Sequence, residues 1–211
     1  MPSLAEQLAT IADAARVALD TTDAAREEAY RLQREVTRAA ASAIRAVHRR
    51  EQGEAERLLA DCRRLCDTMN AASRQAPAVY WTGFVLDAQK EHAEAALLLA
   101  IIDNRPVPTP ADLDIEPAPW LSGLAEAGGE LRRYVLDELR RGAFERAQAL
   151  VDMLGEIYDL LVGFDYPDAV TYGLKRRLDM VRGVFERTLS DVTTTIRESE
   201  LKAALDRRQA T

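Results

Sequence analysis

Residues 81–102 read WTGFVLDAQKEHAEAALLLAII. Trp81, Phe84, Val85 and Leu86 lead into the turn Gln89-Lys90-Glu91-His92-Ala93-Glu94-Ala95, and Leu97, Leu98, Leu99, Ile101 and Ile102 follow it. The segment 78–86 has strand-like content, but it runs without a break into a stretch too long for a strand. A helix from Pro77 to about Asn104 is the better reading. Such a helix has too little polar surface to lie solvated, so the chain around it reads as an all-α bundle. At 3.6 residues per turn, Glu91 and Glu94 point the same way. Two carboxylates so placed repel each other unless a cation lies between them. A hard divalent ion, Mg²⁺ or Mn²⁺, takes carboxylate oxygens and keeps several waters. The alternative is a pair of exposed charges at the rim of the bundle.

The rest of the chain has the same period. Leu4, Leu8, Ile11, Ala15 and Leu19 recur at helical steps, and Val36, Ala40, Ile44 and Val47 continue the stripe. This predicts one long helix from about residue 3 to 50, with Thr21-Thr22-Asp23 as the place where it could break. Leu58, Leu59, Cys62, Leu65, Cys66 and Met69 mark a second helix. Five of the eight prolines fall between 106 and 119, which makes this region the linker. Helices follow over about 118–141, 143–163 and 167–205, with fraying expected in the last ten residues. The expected fold is therefore a single helical domain over residues 1–211, a bundle of six to seven helices with a long N-terminal one.

With 28 basic and 35 acidic residues, the net charge is −7, which argues against an openly basic nucleic-acid surface. Nucleic acid held in a recess stays compatible with local basic clusters. The clusters are Arg45, His48 and Arg49 with Arg50; Arg132 and Arg133; Arg140 and Arg141; and Lys175, Arg176 and Arg177. No apolar run is long enough to span a membrane, and the N-terminus lacks the apolar core of a secretory leader. Cys62 and Cys66 lie four apart with no second ligand pair, so they read as buried reduced thiols and point to the cytoplasm. Phosphate-loop, dinucleotide and nucleophile-elbow motifs are absent. With only His48 and His92, and no Glu-x-x-His motif, a ferritin-type di-iron site is excluded. Asp159, mid-helix among Leu154, Ile157, Leu160 and Leu161, is either a third metal ligand or a solvated charge.

Taken in order, several segments resemble the translin family, and within it the branch of translin-associated factor X. They are Arg34-Glu35-Val36 with Ser42, Ile44 and His48-Arg49; Glu91-His92-Ala93-Glu94-Ala95; Trp120-Leu121-Ser122-Gly123-Leu124; and Gly129-Glu130-Leu131-Arg132-Arg133. Gly142-Ala143-Phe144 and the stretch from Leu174 to Glu186 continue the match. The family's [YD]-D-G-F stands here as Tyr158-Asp159-Leu160-Leu161. The resemblance implies single-stranded RNA or DNA binding and endoribonuclease activity dependent on Mg²⁺ or Mn²⁺. Glu91, Glu94 and Asp159 would be the metal-binding and catalytic set. Phosphate contacts would come from Arg45, His48, Arg49, Arg132, Arg133, Lys175, Arg176 and Arg177. It also implies a homo-oligomer, an octamer, with the acidic site facing inward. A non-catalytic nucleic-acid binder of the translin type and a helical scaffold are the competing readings.

Overall fold

The computed structural model describes residues 2–209. Among them there is no strand, and eight helices follow one another along the chain. The first, α1 (Leu4–Arg49), starts at Ser3, which forms a capping box with Glu6. It does not break at Thr21-Thr22. Both hydroxyls bond back to carbonyls one turn earlier, Val17 at 2.9 Å and Ala18 at 3.0 Å, and so stay within the helix. From Ala25 onward, Ala29, Leu32, Val36, Ala40, Ala43 and Ala46 form a buried stripe at helical spacing. The many alanines let α2 (Gln52–Arg74) lie close along it.

The helix expected from Pro77 to Asn104 is two helices, α3 (Pro77–Tyr80) and α4 (Gly83–Ile102). Thr82 is extended between them, and its hydroxyl donates to the Val79 carbonyl. The sixth expected helix divides likewise into α7 (Asp168–Thr171) and α8 (Leu174–Gln209), because Tyr172 and Gly173 both take positive φ. These two breaks raise the helix count from the expected six or seven to eight. Helix α8 runs through Gln209, and the last two residues of the stretch expected to fray lie outside the described residues. Among the described residues, no helix is long and apolar enough to cross a membrane.

Between the breaks, α4 runs through the middle, packed by α1, α2, α5 (Pro117–Arg140) and the Pro-rich loop. A polar network anchors that loop. Gln89 donates to Asn70 and accepts the Glu116 backbone N–H, while Asn70 donates to the Asp114 carbonyl. Trp120 is half-buried and donates its indole N–H to the Pro108 carbonyl at 2.9 Å, which ties α5 to the loop. On the far side of α5 lie α6 (Phe144–Val162) and α8.

Candidate metal centre

Helices α4 and α5 approach each other closely at Gly123. A methyl group there would lie 2.6 Å from the Ala93 Cβ and 2.8 Å from the Lys90 carbonyl oxygen, inside van der Waals contact. Only glycine lets the two backbones meet so closely. One turn further on, α5 presents Glu126 to the Glu91–Glu94 face of α4. One carboxylate oxygen from each of Glu91, Glu94 and Glu126 lies within 4.8 Å of the others. Glu94 is 7% exposed.

Burial pushes the Glu94 carboxyl up to about 8, and the negative charges of Glu126, Glu91 and Glu130 add to the effect. A cation answers this crowding, and the structure already supplies one. Lys90 Nζ lies 2.9 Å from Glu91 and 2.8 Å from Glu126. Burial alone would lower the Lys90 pKa, but the bonds to Glu126 and Glu91 outweigh it and hold the ammonium charged. Arg177 Nε donates to the other Glu126 oxygen at 2.9 Å, and its Nη1 donates to the Tyr172 carbonyl. The start of α8 is thereby fastened to the cluster.

The donor set fits a hard divalent ion. It is all oxygen, anionic and partly desolvated, and oxygens on opposite sides of Mg²⁺ stand about 4.2 Å apart. Asp159 is not part of it. That residue is exposed on α6, turned about 200° from the buried Ile157, so it faces away from α5. The third carboxylate is Glu126, a residue sequence reasoning missed. The signal was present: one acid in the run Leu121-Ser122-Gly123-Leu124-Ala125-Glu126-Ala127-Gly128, three residues after a glycine.

The basic residues divide in two. Arg45, Arg49, Arg133, Lys175 and Arg176 are exposed. His48, Arg132 and Arg177, expected as phosphate contacts, are each engaged by partners within the chain. The His48 side chain is 3% exposed, with Nε2 2.5 Å from Glu130. Arg132 reaches Asp191 at 2.8 Å and the Thr188 hydroxyl at 3.1 Å. Arg133 lines a groove on α5 together with Gly129, Leu136 and Arg140. His92 faces away from the carboxylates, buried among apolar side chains, and burial, with Arg63 nearby, lowers its pKa to about 4. Cys62 and Cys66 are buried free thiols.

The fold has solved counterparts. AfC3PO, of the translin and translin-associated factor X type and solved in complex with duplex RNA, is 33% identical to the chain. It superposes with a TM-score of 0.83 over 88% of this chain and 96% of that one. The chain belongs to the translin family. The crystal structure of AfC3PO by itself gives 0.82 at the same identity, covering 88% of this chain and 97% of that one. Apo-NeC3PO, at 20% identity and a TM-score of 0.73, shares the translin fold over 92% of this chain and all of that one. An uncharacterized protein of Methanocaldococcus jannaschii is 29% identical over 192 residues, 90% of this translin-family chain and 85% of its own. No family model matches the chain.

Proposed function

We propose that this translin-family protein binds RNA and hydrolyses its phosphodiester bonds with a divalent metal, as an endoribonuclease. The observation that carries the reading is the convergence of Glu91, Glu94 and Glu126 across two helices. Those three carboxylates would hold Mg²⁺ or Mn²⁺. A divalent ion there supplies a hydroxide at neutral pH and offsets charge on the phosphoryl oxygens. Lys90, beside Glu91 and Glu126, would offer its ammonium to the phosphate when a metal is bound, and Arg177 would keep Glu126 oriented. Exposed Lys175 and Arg176, two and one residues before Arg177, hold the strand beside the site, and Arg133, Arg45 and Arg49 extend that path.

Single-stranded RNA is the proposed substrate, with single-stranded DNA as a second ligand. The RNA bound by AfC3PO is a duplex, which favours duplex binding as a second reading. Assembly as a homo-oligomer, an octamer, is part of the proposal. Its support is the N-terminal part of α1, where Leu4, Leu8, Ile11 and Leu19 are each more than half exposed.

The test combines metal binding with cleavage. Mn²⁺ is expected to raise the Tm of the wild-type chain, since a ligand bound only by the native state stabilises it. Glu91→Gln and Glu126→Gln are expected to lose that rise together with Mn²⁺-dependent cleavage of a labelled single strand, assayed beside the duplex. Undiminished cleavage by the Glu91→Ala, Glu94→Ala double variant overturns the assignment.

A further inference from the structure

The carboxylate cluster lies beside a length of α1 that carries surplus positive charge. Two contacts fix the register of α1 against α4. Tyr30 meets Phe84 edge to face, with ring centroids 5.5 Å apart, and Val47 lines one recess together with Leu99 and Ile102. The two helices therefore run parallel, and residues equally far from Tyr30 and Phe84 lie level. Glu91, two turns past Phe84, stands level with Thr37 and Arg38, two turns past Tyr30. The Cys62 thiol gives the same register: its Sγ lies 3.6 Å from the Val36 carbonyl oxygen, and the charge of Glu91 bears on it. Arg34, Arg38 and Arg45 point within about 80° of Tyr30 around α1, along the edge that borders α4. All three are exposed.

Over residues 36–50 the sequence has four arginines and no acid, in a chain of net charge −7. The acids just before that stretch are taken. Glu28 and Glu35 each bind Arg31 at 2.6 Å, and Glu27 binds Arg26 at 2.9 Å. Among the described residues, Arg34, Arg38 and Arg45 have no carboxylate partner. Tyr30 holds Arg34 instead, with the guanidinium carbon 4.5 Å from the ring centroid, and Arg45 donates to the Ser42 hydroxyl at 2.8 Å. Two of the three guanidiniums are thus oriented before any ligand arrives. The row from Arg34 to Arg45 is about 16 Å long, and each guanidinium matches a phosphate with two parallel hydrogen bonds. Because α1 packs on α4 and α8 on α5, this row and Lys175–Arg176 flank the cluster. A phosphodiester strand that passes the carboxylates lies along the row.

We infer that Arg34 and Arg38, in line with Arg45, bind the phosphates of the RNA strand that passes the Glu91–Glu94–Glu126 cluster. The inference rests on the RNA-binding reading but needs no metal, so binding of a fluorescent oligouridylate is measured in EDTA over a range of salt. For a single strand, each phosphate contact contributes about 0.7 to the slope of log affinity against log salt. Arg34→Gln combined with Arg38→Gln is expected to make that slope shallower by about 1.4. Arg57→Gln combined with Arg64→Gln removes the same charge from α2 and is expected to leave the slope as in the wild type. All four side chains are exposed, so both double variants are expected to keep the helical circular dichroism of the wild type. An unchanged slope in the Arg34, Arg38 variant overturns the inference and leaves the RNA-binding reading standing. An equal loss of slope in the α2 variant also overturns it, by assigning the effect to net charge. Wild-type protein that does not bind the oligouridylate overturns the RNA-binding reading, and the inference with it.

Discussion

The His48–Glu130 pair shows how one side chain can change role between sequence and structure. His48 looks like a phosphate contact beside Arg49, but the imidazole lies inside, bonded to Glu130 at 2.5 Å. The bond to His48 holds the Glu130 carboxyl below its ordinary value of 4.5, against the opposing effect of burial. A carboxyl depressed in the folded state contributes stability above its unfolded pKa, and that stability is lost as pH falls through the folded value. Glu130→Gln is therefore expected to lower the Tm at pH 7 and to converge on the wild type below about pH 4. With Glu130 a third exposed, the cost is on the order of 1 kcal/mol, or roughly 2–4 °C. Thermal melts of both chains across that range check it; a gap that persists at pH 3 assigns the effect to packing.

At the scale of helices, the decisive contact is Gly123 against α4. Gly123→Ala places a methyl group into Ala93 and the backbone of Lys90 and Glu94. Overpacking of this kind costs about 1–3 kcal/mol, which reads as a fall of roughly 3–10 °C in Tm. Spreading the helices also moves Glu126 off the Glu91–Glu94 pair, so the stabilisation by Mn²⁺ is expected to disappear as well. An unchanged Mn²⁺ response in Gly123→Ala would show that the contact does not set the carboxylate spacing. The same contact explains what could be read in advance. Glu91 and Glu94 share one helix, and their shared face follows from the period alone. Glu126 comes from another helix, and its proximity depends on a crossing that no local pattern records. The resemblance pointed to Asp159 instead, where Leu160-Leu161 replaces Gly-Phe and the acid faces solvent. Helix positions were legible throughout, since apolar period and proline punctuate them. The two breaks were not, because Thr82 and Tyr172 adopt extended and left-handed backbone without proline at the break.

For the molecule as a whole, the length of α1 sets the terms. Forty-six residues span about 70 Å, some four times the radius of gyration of about 17 Å expected of a compact chain of this length. A homo-oligomer is the expected state, and light scattering at micromolar concentration checks it: a mass of 23.4 kDa, that of one chain, would exclude it. Of residues 4–24 none is buried, and the first core residue of α1 is Ala25. In a lone chain that overhang has only its own backbone bonds, the capping box and neighbouring side-chain pairs to hold it, and a helix of about twenty residues so held is marginal in water. Its amide protons would then exchange with solvent almost as fast as in a free peptide, while those beyond Ala25 wait for the core to open. The overhang is thus a protection gauge, silent for one chain and slow to exchange wherever a second chain lies along it.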